Sequence, residues 1–412
     1  MKTKFLTAVA VAAMLPAAAS AGMVSSDIFK ANARSAASMP KVSSATFAAH
    51  AKATLVKSQE SQVNDPRFFA GTDQYTGVGG MIINTDSADV DGFVGLCTGA
   101  LISPQIILTA AHCLDGGDEN RVRFRTGEGT RNPTREYEAL GTLLHPSYGG
   151  LGDDDLAFVL LESPVDNGEE IYGIYRDRDE VYRESNGDGA AELEAKTHIK
   201  VGNGTTGYGD IGTDRRPDSP PADYIKRFGE NVWEATGDEL FFGVNEDVLI
   251  FDFDSGLDQN DVFGYLSRTF GFTQEQLGIV DPVTGEPLES NSSPGDSGGP
   301  TFLNGLIAGI TSFGITGAIY DGICGPGGID PDGPVNPDLD VEIQDPTLGS
   351  CTNSSFGELS GDTRVSGYAA FIDGVLAGDF AFNLFVPAPG AIGLLGLGVG
   401  GLMVARRRRK VA

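Results

Sequence analysis

Gly295-Asp296-Ser297-Gly298-Gly299-Pro300 sets a serine in a glycine-rich turn, where its hydroxyl can stand exposed and backbone N–H groups can converge on an anionic oxygen. A serine hydroxyl is a weak nucleophile until a base removes its proton. The rest of the chain must therefore be searched for a histidine and a carboxylate. Thr109-Ala110-Ala111-His112-Cys113 supplies an imidazole directly after a strand-like run, and Asp153-Asp154-Asp155-Leu156-Ala157-Phe158 supplies carboxylates. Asp155 adjoins the apolar run Leu156–Leu161, so it is the one most readily buried. A buried carboxylate is costly unless hydrogen-bonded, and an imidazole N–H is the partner that makes it useful. A lone histidine is more often structural than catalytic; His112 draws its interest from Asp155 and Ser297.

Outward from these residues, the chain reads as short apolar runs separated by Gly, Asn and Asp. Gly80–Ile83, Gly99–Ile102, Gln105–Thr109, Leu156–Leu161 and Leu306–Ser312 have strand length, and no long helical period interrupts them. An all-β sandwich or pair of barrels is the expected class. A single apolar period at Tyr368, Phe371, Ile372 and Val375 predicts one terminal helix. Gly295–Gly299 also fits the G-x-S-x-G elbow of α/β-hydrolases, which needs a histidine after the serine. His50, His112, His145 and His198 all precede Ser297, so chain order rejects that reading.

The 412 residues carry a formal net charge of −28, and the basic residues Lys2, Lys4 and those of 406–412 leave the interior more acidic still. Such a charge repels nucleic acid and excludes it as a partner. Residues 1–21 read as a secretory signal: Lys2 and Lys4, an apolar run from Phe5 to Leu15, and Ala19-Ser20-Ala21 at the cleavage site. Export permits disulfides, and the 4 Cys allow three pairings. The sequence around His112 offers a Cys97–Cys113 bridge that would fix its loop, leaving Cys324 with Cys351. Crosslinks of this kind contribute about 3 kcal/mol.

Residues 22–67 are too poor in apolar side chains for a core of their own. At the other end, Val386-Pro387-Ala388-Pro389-Gly390 leads into the apolar stretch Ala391–Ala405, which stops at Arg406-Arg407-Arg408-Arg409-Lys410. These three parts resemble the PEP-CTERM sorting tails of Gram-negative bacteria, in a variant form. That resemblance implies processing by an exosortase and transient inner-membrane contact through the tail. A simple membrane anchor, a marginal transmembrane helix, is the plainer alternative.

Two acidic stretches stand apart, one with Asp252, Asp254, Asp258 and Asp261, the other with Asp330, Asp332, Asp338, Asp340, Glu342 and Asp345. Neither has the spacing of a known calcium loop, so solvated loop charge is the reading adopted over Ca²⁺ binding; no metal or cofactor is expected.

Thr109–Cys113, Asp155-Leu156-Ala157 and Gly295–Pro300, in that order, resemble the motifs of trypsin/chymotrypsin-like serine endopeptidases. His145-Pro146-Ser147-Tyr148, Ser312-Phe313-Gly314 and Thr363–Tyr368 extend the resemblance over roughly residues 68–375. It implies two six-stranded antiparallel β-barrels with a C-terminal helix, in a protease domain over 68–380, and protein or peptide substrates. It further implies Ser297 as nucleophile, His112 as base, Asp155 as orienting carboxylate, and the N–H groups of Gly295 and Ser297 as oxyanion donors. Asn291, Ser312, Phe313 and Gly314 would line the substrate pocket. Asn291 falls where members specific for Arg and Lys carry an aspartate, which argues against strict basic preference. The alternative is a surface-sorted binding or matrix protein that keeps the protease fold without turnover.

The sequence departs from the family in three further places. Activation there frees an N-terminal ammonium that pairs with the aspartate before the serine, here Asp296. Arg67 precedes Phe68-Phe69-Ala70-Gly71 rather than the usual Ile-Val-Gly-Gly, so residues 22–67 read as a propeptide, but without that pair Asp296 needs another partner. Ser293 replaces a cysteine four residues before the nucleophile. Residues 165–290 are longer than in compact members and are expected to hold access loops, with Trp233 and Asp252–Asp261 among them.

Overall fold

Arg121-Val122-Arg123-Phe124-Arg125-Thr126-Gly127 alternates between exposed or half-buried arginines and the buried Val122, Phe124 and Thr126. That period of two makes a strand with one face to a core and one to solvent. Ile106–Thr109 and Ala157–Leu161 are instead buried at every residue, in keeping with the apolar runs Ile106–Leu108 and Ala157–Leu161. A computed structural model shows how these runs pair. It describes residues 56–57, 68–84, 95–115, 121–165, 168–181, 196–209, 224–240, 244–253, 261–264, 279, 288–315, 354 and 356–385. All of these lie in one compact unit, Val24–Phe385.

The first barrel takes β2 (Val78–Asn84), β3 (Gly95–Leu101), β4 (Ile106–Thr109), β5 (Arg121–Gly127), β6 (Pro133–Leu144) and β7 (Ala157–Leu161). They run in the order β6-β5-β2-β3-β4-β7, and β7 pairs back onto β6 to close the sheet. Closure leaves no free edge, which is why the fully buried β4 and β7 can exist without an aggregation-prone border. The second barrel-like sheet has the order β10-β8-β14-β15-β16-β12, with a two-residue strand β11 (Ala235–Thr236) added beside β12. Its strands are β8 (Thr197–Gly202), β10 (Arg227–Val232), β12 (Val248–Asp252), β14 (Pro300–Leu303), β15 (Leu306–Ile315) and β16 (Leu359–Arg364). The all-β double-barrel class and the terminal helix are therefore as expected. That helix, α1 (Ala369–Ala377), buries Ile372 and Val375 and ends at Gly378 in a left-handed conformation, φ 82°.

A third, small sheet adds what the sequence did not indicate. Val56–Lys57 forms β1, between β13 (Ser290–Asn291), which it meets antiparallel, and β9 (Gly207–Tyr208), which it meets parallel. Strand pairing thus reaches into the segment read as a propeptide, and at the other end Asn383–Leu384 (β17) pairs with β6 beyond residue 380. Phe68, the residue after Arg67, is buried at 1% exposure, and Arg227 lies over the ring of Phe69 at 4.7 Å.

Trp233 and Asp252 correct the expected access loops. Trp233 is fully buried among the apolar side chains Leu249, Phe251 and Ala308 of the second sheet, its ring tilted against that of His198 with centroids 4.2 Å apart. Its indole N–H donates to Asp362 at 3.1 Å. Asp252 closes β12, and its Oδ2 accepts the N–H groups of Val262 and Phe263 at 2.9 and 3.2 Å. An apolar ring and a helix-capping carboxylate are core duties, which length counting could not reveal. His198 is equally a core residue: burial holds its pKa well below the ordinary histidine value, with nearby Lys200 adding to the effect. The signal, the tail, most of residues 22–67, Asp254, Asp258, the acidic stretch 330–345 and the expected Cys324–Cys351 bridge lie outside the described residues. Among the described residues no helix is long and apolar enough to cross a membrane.

Candidate active site

β4 ends at Thr109, and the chain turns through a single 3-10 turn, Ala111–Cys113, that presents His112 half-buried. Cys97 on the neighbouring β3 is bonded to Cys113, tying this turn to the barrel as the flanking sequence suggested. β7 pairs with β4 in the register Thr109↔Ala157, which brings the residues just before β7 alongside the His112 turn. Asp155 lies there with its side chain fully buried.

The carboxylate grips His112 twice. Oδ1 accepts the His112 backbone N–H at 2.8 Å, and Oδ2 accepts Nδ1–H at 2.7 Å. Ser312 Oγ also donates to Oδ2, and Thr363 Oγ1 donates to the Asp155 carbonyl at 2.9 Å. With Nδ1 committed as donor, Nε2 is left as the basic nitrogen. Asp153 and Asp154 do not share this role: Asp154 accepts the Tyr368 hydroxyl at 2.7 Å and lies 3.8 Å from His145.

Ser297 enters from the second barrel, half-buried, between β13 and β14. Its carbonyl accepts the Thr98 N–H at 2.8 Å and lies 3.6 Å from Cys113 Sγ, while that sulfur lies 3.8 Å from His112 Nε2. Among the described residues no hydrogen bond joins Ser297 Oγ to His112. Such bonds are commonly long without substrate. The turn depends on Gly298, at φ 78°, where a Cβ would stand 2.0 Å from Thr109 Oγ1 and 2.5 Å from the Thr98 carbonyl. Only glycine fits so close an approach. The N–H of Asp296 donates to Ser293, that of Gly298 to Thr311 and that of Gly299 to Asp296. The N–H groups of Gly295 and Ser297 donate to none of the described residues.

A pocket of about 150 Å³ opens beside Ser297, lined by Ser292, Ser293, Pro294, Thr311, Ser312, Phe313, Gly314 and Ser354. Asn291, expected in its wall, is buried at 1% exposure behind it: Oδ1 accepts the Ser292 N–H at 2.8 Å and the Ser360 hydroxyl at 2.6 Å. Strand pairing with β1 turns Asn291 into a sheet residue, and its successor Ser292 reaches the cavity. Among the described residues no charged side chain lines the pocket. Ser312 lines it too, with its hydroxyl spent on Asp155. Among the described residues Cys97, His112 and Cys113 form the one cluster of three candidate metal ligands, but the two sulfurs are bonded to each other and neither is a thiolate.

Residues 82–189, which include His112 and Asp155, match the family model Trypsin. The fold is trypsin-like. Among curated proteins, the chain is 25% identical to a trypsin of Simulium vittatum over 228 residues, 54% of this chain and 72% of that protein. It is 28% identical to the inactive snake venom serine proteinase 13 of Crotalus adamanteus over 134 residues, 31% of this chain and 42% of that protein. The solved structure of HL collagenase superposes with a TM-score of 0.42 at 16% identity, over 74% of this chain and 95% of that one. The family match supports a trypsin-like serine protease domain, and with it hydrolysis of protein or peptide.

Proposed function

We propose that this chain is an exported serine endopeptidase that cleaves peptide bonds through an acyl-enzyme intermediate. The observation that carries the reading is the double grip of Asp155 on His112, which leaves Nε2 as the free base on the side of the imidazole where the Cys113 sulfur and the Ser297 turn lie. In this mechanism Ser297 Oγ attacks the scissile carbonyl while His112 takes its proton. His112 then returns the proton to the leaving amine, and a water repeats the sequence to release the acid. Asp155 holds the tautomer and stabilises the imidazolium. The N–H groups of Gly295 and Ser297, which have no acceptor among the described residues, suit an oxyanion, typically the largest electrostatic contribution to such a reaction.

The pocket supports a preference for an uncharged side chain at the cleaved position. Among the described residues its lining of hydroxyls and the Phe313 ring offers no carboxylate to an Arg or Lys head group, whose charge would be costly to bury there. A peptide-library digest with a dominant Arg or Lys preference would overturn this part of the reading.

Export through residues 1–21, a propeptide over 22–67 and sorting through 386–412 by an exosortase belong to the same proposal and rest on sequence motifs alone. Terminal sequencing and intact mass of the processed protein from its native host test them.

The missing bond between Ser297 Oγ and His112 favours a second reading, a protease-fold binding or matrix protein without turnover. A fluorophosphonate probe separates the two. Labelling of the wild type and not of Ser297→Ala supports the peptidase; a folded, processed wild type that stays unlabelled supports the binder.

A further inference from the structure

Asp296 is fully buried immediately before Ser297, and both its carboxylate oxygens are already engaged by the uncut chain. Oδ1 accepts the Gly204 N–H at 2.8 Å. Oδ2 accepts the Ser293 N–H at 2.9 Å and lies 2.6 Å from Ser293 Oγ. That hydroxyl lies 2.6 Å from the Thr205 carbonyl as well, and the Asp296 N–H returns to the Ser293 carbonyl at 2.9 Å. Lys200 on β8 acts on Asp296 only from a distance, because its ammonium is bonded to Thr301 and Asp362.

We propose that Ser293 is a positioning residue that anchors Asp296, so that the Gly295–Ser297 turn is set in the uncut chain without a freed N-terminal ammonium. The inference rests on the peptidase reading of Ser297 for its consequence, though not for the contact itself. The two residues close a reciprocal ring, backbone to side chain in one direction and backbone to backbone in the other. Asp296 is part of that ring, and the N–H groups on either side of it, those of Gly295 and Ser297, have no acceptor among the described residues. An ammonium arriving at Asp296 would find Oδ2 already taken by both Ser293 groups and would have to share Oδ1 with the Gly204 N–H.

The hydroxyl of Ser293 carries one hydrogen and has two oxygens within bonding distance. When Asp296 is protonated it donates to Ser293 Oγ, and Ser293 donates to Thr205, so every group is satisfied. When Asp296 is ionised, Ser293 turns to it and releases Thr205. Lys200 is the cation that faces this equilibrium, and Asp362 largely compensates it; the flanking segments Asn203–Thr206 and Ser292–Gly295 bring no charge other than Asp296 and its neighbours' dipoles.

Two measurements test the proposal on the full chain. In the first, Arg67→Gln blocks the expected cut and fluorophosphonate labelling of Ser297 is timed. Uncut and processed protein should label within about threefold of each other, with Ser293→Ala slower by tenfold or more, its pH profile displaced, and Ser293→Thr restoring the rate. A requirement for cleavage, or for an unblocked N-terminal amine, would overturn the proposal. In the second, melting temperatures of the uncut chain are compared for Ser293→Ala, Asp296→Asn and the double variant. Ser293→Ala should lower Tm by about 5 °C alone and by less than half of that in the Asp296→Asn background. Additive effects would overturn the anchoring. Coupling in a protein that never labels in any form would sink the peptidase reading and leave the Ser293–Asp296 anchor standing.

Discussion

Asp155 holds both the backbone and the side chain of His112, with Oδ1 on the amide at 2.8 Å and Oδ2 on Nδ1 at 2.7 Å. One buried carboxylate thereby fixes where the imidazole starts and which way it points. Asp155→Asn retains the shape and one acceptor but places an NH₂ or a neutral oxygen opposite Nδ1, so the wrong tautomer is stabilised. The peptidase reading predicts a fall in kcat of about 10⁴-fold with little change in KM. A loss under tenfold in steady-state assays would remove Asp155 from the mechanism.

The Cys97–Cys113 bridge lies between the two halves of the site, its Cys113 sulfur 3.6 Å from the Ser297 carbonyl and 3.8 Å from His112 Nε2. Replacing both cysteines by alanine should cost about 3 kcal/mol in unfolding free energy. It should also slow acylation beyond any global unfolding, since the turn that carries His112 loses its tether. Calorimetry and probe labelling at 15 °C, below the lowered Tm, separate the two effects.

Burial raises the Asp296 pKa from 3.8 to about 6, against the lowering effect of its hydrogen bonds. A carboxyl that holds its proton more tightly folded than unfolded stabilises the protein below about pH 4. That contribution, about 3 kcal/mol, is lost as pH rises through 6. Urea unfolding from pH 4 to 7.5 should show the stability of the wild type declining relative to Asp296→Asn, which cannot ionise. A difference that is flat or rises with pH is the contrary result.

Lys200 and Asp362 are a buried ion pair in the second sheet, 1% and 0% exposed, with Thr301 and Trp233 completing the bonds of the carboxylate. Lys200→Met strands a charge inside the core and should destabilise by about 3–5 kcal/mol. Adding Asp362→Asn should recover much of that loss. Denaturant midpoints of the single and double variants check it, and equal destabilisation in both would mean that the charge is not what matters.

Gly298→Ala meets two obstacles at once, a φ of 78° and a Cβ 2.0 Å from Thr109 Oγ1. The substitution should cost at least about 2 kcal/mol and abolish labelling of Ser297. Thr109→Ala would not relieve it, because the Thr98 carbonyl still stands 2.5 Å from that Cβ.

The parts of this architecture that were legible from residues alone share a physical cause. Ile106–Leu108 and Ala157–Leu161 are apolar throughout because these strands of the closed barrel are buried along their whole length. Asp155 could be singled out because it adjoins such a run. What stayed hidden depends on contacts remote in sequence. Ser354 and Ser292 meet at the pocket, and Ser360 ties Asn291 behind it, with no local pattern to announce either. Trp233 looked like a loop residue because a long interval surrounds it, yet its indole needed Asp362 from the far end of the domain. Ser293 is a partial exception. A serine three residues before an aspartate is the spacing of a reciprocal backbone cap, and that signal was present at Ser293-Pro294-Gly295-Asp296.

β1 gives the leader segment an unusual status. Val56–Lys57 is stitched to Ser290–Asn291 on one side and Gly207–Tyr208 on the other, while Arg67 lies further along the chain. A break after Arg67 would turn that stretch from a tethered strand into a ligand for a groove in its own protein. Its occupancy would then follow mass action: near-complete while the effective concentration of the tether lasts, and falling with dilution once the tether is cut.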